Sequence, residues 1–535
     1  MQSPTKSCQL DPIQTSLLKE CIDTVLPILT EIVNRCLTNG YMPRSLKEAV
    51  ITPIPKKPKI SELKNFRPIS NLPFLSKVIE RIVVDKLSTY CAENNLNEPY
   101  QSAYRKNHSC ETALLEVANV ILNNMDNQKV TILTLLDLSA AFDTVPHDRF
   151  LERLEADYGI TDSALEWFAS YFKDRNQTVL VNGETSTAKV LSTGMPQGSG
   201  TGPWGYTKYT GPLGTPIRLM RLLYHMFADD TQLHLAINSN SVNSQSEAKE
   251  KLEKCVSSIS SWMTENRLKL NSEKTEFMLI GTKQQLSKMT FSTVNINNQQ
   301  IQTRKSVRNL GVIFDAEMKM NEHVNNITRI CYGKLREISS IRKYITTEVS
   351  QTLIQSMVVS HLDYGNSLLY GISDKLLAKL QRIQNAAART ILGYRKYDRI
   401  SKGLFKRHWL PIRYRIKFKI AMITYKVLTT NHPQYLRDLL VLQTNTHTLR
   451  SCSEYVLKVP KTKLKTAGDR SFSVAAPKIW NDLPSHVKKA ASLTLFNKTV
   501  QGQCATTCPN LIHNSLIHKL VDSSFQTTFE ILFSF

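Results

Sequence analysis

Two adjacent acidic residues, Asp229 and Asp230, stand between two short apolar runs in the segment Leu223–Leu235. The residues after Asp230 alternate between polar and apolar, which is the period-2 pattern of a half-buried strand. Because aspartate is a favoured turn residue, the segment predicts a β-hairpin with Ala228, Asp229 and Asp230 in a tight turn. Two carboxylates at a rigid tip repel each other unless a cation lies between them, and their hard oxygen atoms suit Mg²⁺. On this segment alone, an ordinary acidic turn is an equally good interpretation.

A third acid, Asp137, lies near the end of the apolar run VTILTLLDL at 130–138. Such an uninterrupted run predicts a strand buried on both faces. A charge at its end is tolerated only beside a metal, a partner or the sheet edge, although a buried structural aspartate is the competing interpretation. If this strand adjoins the hairpin, the three carboxylates meet at a site for two Mg²⁺ ions. That arrangement suits nucleotidyl transfer, in which a 3′-hydroxyl attacks and pyrophosphate leaves.

The chain carries a large excess of positive charge. Its 535 residues include 68 Lys and Arg against 45 Asp and Glu, a formal net charge of +23. This excess is typical of a protein that binds polyanions, so nucleic acid is the leading partner; a basic protein without such a partner is the competing interpretation. The length predicts roughly two to four structural units.

The cellular location is also constrained by the sequence. The ten cysteines are scattered without a disulfide framework, which fits a reducing compartment. No apolar run approaches the roughly 20 residues of a membrane span, and the N-terminus lacks a signal-peptide apolar region. We therefore expect an intracellular protein without a membrane partner.

Three basic segments and one glycine-rich segment are candidates for contact with nucleic acid. The basic segments lie at 47–70, 101–109 and 395–419, and the last of them also contains aromatic residues that could stack on bases. Each is more often a solvated face, and the aromatic residues are about as well explained as core. The glycine-rich segment GMPQGSGTGP at 194–203 would let backbone approach a ligand closely.

Four potential metal ligands near the C-terminus have the spacing C-x3-C-x4-H-x4-H, namely Cys504, Cys508, His513 and His518. The ligand types suit Zn²⁺, but the gap between the two pairs is shorter than in the common finger pattern. Coincidence is therefore the favoured interpretation of this tail.

Seven motifs occur in a fixed order: KNFRPIS at 64–70, QSAYRKNHSCETAL at 101–114, LLDLSAAFDTVPH at 135–147, GMPQGS at 194–199, FADDTQL at 227–233, LKLNSEKTEFM at 268–278 and NLGVIFD at 309–315. Together they resemble the reverse transcriptases of non-LTR retrotransposons, most closely the jockey-like LINE group. The resemblance is strong over residues 46–320, and the segments at 361–371 and 471–484 are similar to the carboxyl part of the same elements.

The resemblance implies an α+β fold shaped as a right hand, with an antiparallel-sheet palm, basic fingers, a helical thumb and a helical C-terminal extension. The implied boundaries are a helical N-terminal extension at 1–45, fingers and palm at 46–315, a thumb and basic region at 316–420, and the C-terminal extension at 421–535. The implied activity is RNA-directed DNA synthesis with Mg²⁺, or alternatively Mn²⁺, as cofactor. Its partners would be an RNA template, a DNA primer and deoxynucleoside triphosphates, in a ribonucleoprotein of the nucleus or cytoplasm; the oligomeric state stays open.

The resemblance also assigns roles to individual residues. It makes Asp137, Asp229 and Asp230 the catalytic, metal-binding acids, and Lys274 the general acid that protonates the leaving pyrophosphate. Five further residues would contact the template or the incoming nucleotide: Arg67 and Arg105 in the fingers, Phe142 as the steric gate against a 2′-hydroxyl, and Gln197 and Gly198 in the loop at the nascent base pair.

Two departures from the family pattern leave other functions open. The segment 200–216 is rich in glycine and proline, which disfavour a helix by about 1 and 3 kcal/mol each relative to alanine, so the helix expected beneath the hairpin is predicted to be disrupted. The chain also starts just ahead of the fingers, so we expect it to lack the amino-terminal endonuclease of full-length elements. The competing hypotheses are a catalytically silent RNA-binding remnant and, less favoured, a Mg²⁺-dependent nuclease.

Overall fold

The computed structural model describes residues 8–506 except 57–61, 63–64, 140–141, 298, 396, 407–408 and 444–455. The amino-terminal half contains these helices and strands: α1 (Thr15–Glu20), α2 (Ile22–Thr38), β1 (Ala49–Pro55), β2 (Phe66–Asn71), α3 (Phe74–Glu93), α4 (Cys110–Asp126), β3 (Val130–Leu136), β4 (Leu138–Ser139), α5 (His147–Ala156), α6 (Asp162–Phe172), β5 (Asn176–Val181), β6 (Glu184–Thr185), β7 (Lys189–Val190), α7 (Thr201–Thr210), α8 (Gly214–Leu219), β8 (Leu223–Phe227), β9 (Asp230–Ile237) and α9 (Val242–Glu265).

The remainder continues with short strands and then becomes helical. Its elements are β10 (Lys269–Leu270), β11 (Glu276–Ile280), α10 (Lys283–Leu286), β12 (Thr293–Ile296), β13 (Gln299–Gln302), β14 (Ser306–Asn309), β15 (Val312–Asp315), α11 (Asn321–Ile341), α12 (Thr347–Ile354), α13 (Ser360–Asp363), α14 (Asp374–Leu392), α15 (Ser401–Lys406), α16 (Ile412–Thr430), α17 (Gln434–Arg437), α18 (Phe472–Asn481), α19 (Ser485–Lys488) and α20 (Leu493–Thr506). None of the helices in the described ranges is long and apolar enough to cross a membrane.

A four-stranded antiparallel sheet with the order β11-β3-β9-β8 lies at the centre of the fold. Strand β3 shows why its sequence is apolar throughout: Ile132 and Leu136 pack into one hydrophobic core, while Leu133 packs into the other. Because successive side chains of a strand point to opposite faces, helices must cover both faces of this sheet. The predicted strand buried on both faces is confirmed, and the fold is a mixed helix and sheet structure with antiparallel sheets.

The two cores divide the helices between them. One core joins α4 and the strands β3, β11, β14 and β15 to the helices from α11 onward, and the other joins the central sheet to α2, α3 and α5–α9. A second sheet, of order β2-β1-β5-β6 with β7 also on β5, lies beside this part and pairs β1 with β5 in parallel. In the basic segment 395–419, Trp409 and Phe418 are buried in the first core, so for these two aromatic residues the core interpretation is the right one.

The prediction of a disrupted helix at 200–216 is wrong. The chain forms α7, a 3₁₀ turn at 211–213 and α8 in this segment. Pro203 lies in the first turn of α7, where its missing N–H would have had no helical partner. The carboxylate of Glu80 on α3 accepts the N–H of Gly200 at 2.6 Å just before the helix begins. Gly205 packs so tightly that an added Cβ would lie 2.8 Å from Met195 Cε, so tertiary packing overrides helix propensity here.

Candidate active site

The hairpin of β8 and β9 has a two-residue turn, because Phe227 pairs with Asp230 and only Ala228 and Asp229 lie between them. Ala228 has φ of +56°, a left-handed conformation that this turn position demands and that favours glycine. The Gln101 side chain holds the strained residue on both sides: Oε1 accepts the Ala228 N–H at 3.0 Å, and Nε2 donates to the Ala228 carbonyl at 3.4 Å. The predicted hairpin is confirmed, with Asp230 as the first residue of β9 rather than within the turn.

The sheet brings Asp137 to the same place. In the pairing of β3 with β9, Leu136 lies opposite Thr231, and Asp137 follows directly at the end of β3. The Nζ of Lys274 lies 2.8 Å from Asp137 Oδ2, and the Asn271 N–H donates to the Asp137 carbonyl at 2.9 Å. Asp137 and Lys274 are therefore paired beside the hairpin.

The charges of the acids influence one another. Burial raises the pKa of Asp229, and the charge of Asp137 raises it further, while Lys274 and Arg67 oppose this rise. Burial, followed by the charges of Asp229 and Asp137, raises the pKa of Asp230 to about 6. Carboxylates that repel each other in this way favour protonation or a nearby cation.

Asp137, Asp229 and Asp230 are the candidate ligands for a divalent cation. Within the described ranges, no three or more His, Cys, Asp or Glu side chains are already grouped in a metal-holding arrangement. In this structure the ammonium of Lys274 is the cation that pairs with Asp137. The chemistry of the donors nevertheless fits: three mutually repelling carboxylates offer the hard oxygen atoms that Mg²⁺ prefers.

A cavity of about 150 Å³ opens beside these acids. It is lined by Leu135, Leu136, Asp137, Asp230, Thr231, Gln232, Lys274, Glu276, Arg308, Asn309 and Leu310. The lining combines two of the acids with cations from the loop before β11 and from β14. A polar cavity at the ends of the central strands is a suitable place for a charged ligand.

An aromatic pair adjoins the acids on another side. The half-buried Phe142 stacks on Tyr206 of α7 with ring centroids 4.4 Å apart. Tyr206 is fully buried, and its hydroxyl has no hydrogen-bond partner among the described residues. Burial raises the pKa of Tyr206 well above its usual value, and the charges of Asp229, Asp230 and Asp137 add to this effect. The helix predicted to be disrupted therefore places an aromatic side chain that contacts Phe142 and lies close enough to the acids to feel their charges.

Residues 54–314 match the family model described as reverse transcriptase (RNA-dependent DNA polymerase). This part of the chain is therefore similar to a reverse transcriptase domain. The chain is 27% identical over 406 residues to the probable RNA-directed DNA polymerase from transposon BS of Drosophila melanogaster. This match covers 72% of this chain and 43% of the relative. It is 26% identical over 394 residues to the RNA-directed DNA polymerase from mobile element jockey of the same species, covering 70% and 41%. The predicted resemblance to jockey-like elements is confirmed, and the chain spans less than half the length of these curated relatives.

Among solved structures, the chain is similar to an apo telomerase from Candida Tropicalis truncated from its C-terminal domain. The TM-score is 0.35 and the sequence identity 11%, over 58% of this chain and 63% of that one.

The two arginines that the resemblance assigns to the fingers, Arg67 and Arg105, differ in their surroundings. Arg67 on β2 is close enough to the hairpin to influence Asp229 electrostatically. Arg105 is instead bound to its own segment, since Nη1 donates to the carbonyls of Glu98 at 2.8 Å and Gln101 at 2.9 Å. The structure therefore gives Arg105 a part in holding the segment that carries Gln101, and its contact with template or triphosphate stays a prediction.

The loop residues Gln197 and Gly198 lie against β2. The Gln197 carbonyl accepts the Ser70 N–H at 2.6 Å, and its side chain donates to Asp143 Oδ1 at 3.0 Å. Gly198 has φ of +110°, and an added Cβ would lie 2.9 Å from the Ser70 carbonyl oxygen, so no other residue fits there without strain. Their contact with a nascent base pair stays a prediction.

Sequence reasoning missed Gln101 and Tyr206 as parts of the site. Gln101 begins the motif at 101–114, in which the resemblance assigns a role only to Arg105, and Tyr206 stands in the segment predicted to be disrupted. The sequence signal available for both was their position: Gln101 is an uncharged residue within the motif at 101–114, and Tyr206 is an uncharged residue shortly after the motif at 194–199. The proposed zinc ligands in the tail lie outside the part of the chain whose side chains the structure describes.

Proposed function

We propose that the chain is an RNA-directed DNA polymerase that adds deoxynucleotides to a primer 3′-hydroxyl. One observation carries the proposal: in the part of the chain that matches a reverse transcriptase domain, Asp137 follows the end of β3 next to the strand that begins with Asp230 at the hairpin tip. The silent RNA-binding remnant is no longer favoured, because α7 forms where a disrupted helix was its main support.

We assign the central sheet and its helices to the palm of a right-hand polymerase. The sheet built from β1, β2 and β5 would belong to the fingers, and the helices α11–α14 to the thumb. The predicted boundaries at 46–315, 316–420 and 421–535 are kept as part of this proposal. Asp137 and Asp230 lie at the ends of central-sheet strands and line a polar cavity, and this position supports the assignment.

Asp137, Asp229 and Asp230 would hold the divalent cations, with Mg²⁺ proposed and Mn²⁺ as the alternative. When bound, these ions would lower the pKa of the primer hydroxyl and neutralise the charge of the triphosphate. The protein's own contribution is a turn held by Gln101, which orients two carboxylates before substrate arrives. Preorganised carboxylates avoid reorganisation during the reaction.

Lys274 would supply the proton for the leaving pyrophosphate. Its ammonium lies 2.8 Å from Asp137 and is largely exposed, so it can exchange this partner for a phosphate oxygen. Phe142 would select deoxynucleotides, because its ring, supported by Tyr206, would crowd a 2′-hydroxyl. Both roles follow from the resemblance and are supported by where the side chains lie.

The substrates would be an RNA template, a DNA primer and deoxynucleoside triphosphates. The net charge of +23 supports a polyanionic substrate, since each neutralised phosphate releases counterions. We propose that the protein acts in a ribonucleoprotein in the nucleus or cytoplasm.

Primer extension on a poly(A) template with an oligo(dT) primer tests the function. We expect a DNA product that depends on Mg²⁺ and that falls at least about a thousandfold in Asp229→Asn, because a metal-binding carboxylate is lost. Asp85→Asn, which changes an exposed acid on α3, is the matched control and should retain activity. Equal products from wild type and Asp229→Asn, or no product from wild type, would refute the proposal; RNA binding without any product would instead support the remnant.

A further inference from the structure

A buried polar network lies beneath the hairpin and reaches α17, a short helix in the C-terminal part of the chain. Ser102 Oγ lies 2.8 Å from His225 Nε2 on β8 and 2.8 Å from the Tyr435 hydroxyl on α17. The Tyr435 hydroxyl also donates to Thr112 Oγ1 on α4 at 3.1 Å. All four residues are buried, so water does not compete for these hydrogen bonds.

A carboxylate lies behind the histidine. His225 Nδ1 is 3.4 Å from Glu116 Oε2, and His234 Nε2 on the neighbouring strand is 4.0 Å from Glu116 Oε1. In the hairpin register His225 lies opposite Gln232, so His225 and His234 point to the same face, toward α4. Glu116 on α4 thus faces the imidazoles of both strands of the hairpin.

The backbone next to Ser102 holds the same hairpin. The Met226 N–H donates to the Tyr100 carbonyl at 2.8 Å, and the Ser102 N–H donates to the Met226 carbonyl at 3.0 Å. Gln101, between them, grips Ala228 through its side chain. Three consecutive residues therefore hold β8 up to the first residue of the turn.

Tyr435 connects this strap of residues 100–102 to α17. Besides the bond to Ser102, its ring stacks on Tyr100 at 6.5 Å between centroids and meets His225 edge-on at 5.0 Å. Tyr435 therefore contacts the first and last residues of the strap and the hairpin strand itself. A shift of α17 would be transmitted to the turn through packed groups, not through solvent.

We propose that His225 and Tyr435 are positioning residues for the Asp229–Asp230 turn, so that a helix of the C-terminal region is part of the catalytic unit. His225 fixes β8 between Ser102 and Glu116, and Tyr435 fixes Ser102. Neither side chain touches substrate. The inference rests on the proposed polymerase function for its kinetic consequence, but the mechanical coupling it describes can be measured without activity.

The test compares two variants that each remove one buried tyrosine hydroxyl from the full chain. Tyr435→Phe deletes the hydroxyl that bonds to Ser102 and Thr112. Tyr425→Phe deletes a hydroxyl that donates to the Ala490 carbonyl at 2.7 Å, away from the hairpin. We expect amide hydrogen exchange of a peptide spanning 223–237 to rise about fivefold in Tyr435→Phe and to stay unchanged in Tyr425→Phe. In primer extension, Tyr435→Phe should lower kcat about fivefold and leave KM for the nucleotide unchanged, since only the turn is displaced.

A second variant separates positioning from general loss of stability. Ser102→Ala should reproduce the effects of Tyr435→Phe, and the double variant should be little worse than either alone, because both break one chain of contacts. Equal exchange in the Tyr435→Phe and Tyr425→Phe hairpins, or a rise in KM with unchanged kcat, would overturn the proposal. If the wild-type chain makes no product, the proposed function fails, and the exchange comparison alone decides the positioning role.

Discussion

Replacing Asp230 by asparagine should make the protein more stable at neutral pH while abolishing polymerase activity. Burial and the charges of Asp229 and Asp137 raise the pKa of Asp230 from 3.8 to about 6. A folded state that raises the pKa of an acid is penalised when that acid ionises. Asparagine keeps a similar shape and cannot ionise, so it removes this penalty.

The direction and size of the effect follow from proton linkage. Between about pH 4 and pH 6 the folded protein binds more protons at Asp230 than the unfolded chain does, so this group's contribution to stability falls as pH rises through that window. The rise in pKa corresponds to at most about 3 kcal/mol. Packing around the carboxyl group desolvates it, but the Asp230 side chain keeps access to solvent at the strand end, so screening reduces the expected gain in Asp230→Asn to about 1 kcal/mol.

Urea unfolding at pH 8 and at pH 4 in EDTA measures the effect. We expect Asp230→Asn to exceed wild type by about 1 kcal/mol at pH 8 and to match it near pH 4, where the wild-type carboxyl is protonated. Millimolar Mg²⁺ should stabilise wild type more than the variant, since it binds the folded acids. Asp469→Asn is the control that should change the free energy of unfolding in the opposite direction. Hydrogen bonds from Thr462 and Lys478 lower the pKa of Asp469, so the loss of this carboxylate should destabilise the protein. A variant no more stable than wild type at pH 8, or a difference independent of pH, would refute the electrostatic reasoning.

Three further substitutions test the turn, the helix and the gate. Ala228→Gly should raise the free energy of unfolding in urea by a net of about 0.5 kcal/mol, because glycine relieves the left-handed strain of the turn; a lower free energy of unfolding would contradict this. Gly205→Ala should lower the free energy of unfolding by about 1–3 kcal/mol in the same assay, because the added Cβ would meet Met195. Gly333→Ala lies in open space on α11 and should raise the free energy of unfolding by about 1 kcal/mol. A change in the same direction for both variants would contradict the packing argument. Phe142→Ala should increase ribonucleotide relative to deoxynucleotide incorporation in primer extension at least about tenfold, and an unchanged ratio would remove Phe142 as the gate.

The local parts of the site could be predicted because their signals are local. The alternation after Asp230 and the turn preference of aspartate suffice to place the hairpin. The apolar run before Asp137 predicts a strand buried on both faces, and the structure confirms this. The pattern of apolar and polar residues does not predict that β3 pairs with β9. That pairing is expected only because a two-metal site requires Asp137 to lie near Asp229 and Asp230.

The helix at 201–210 could not be predicted because its stability is tertiary. Propensity scales count the cost of each glycine, but they do not include the carboxylate of Glu80 at the helix start or the close approach of Met195 to Gly205. The role of Gln101 was hidden for the same reason, since its partner Ala228 is far away in sequence. Contacts between distant segments decided these features.

The hairpin tip combines several features that are unfavourable by themselves. Ala228 is left-handed, the pKa values of Asp229 and Asp230 are raised, and the buried Tyr206 hydroxyl has no hydrogen-bond partner among the described residues. Each disfavours this geometry, so the surroundings must over-determine it. The bonds from Gln101 to the turn do this mechanically, and a bound cation would do it electrostatically. The two supports act differently, one on the backbone conformation and the other on the charge, so loss of the cation should leave the turn formed while the pKa values of its carboxyl groups stay raised.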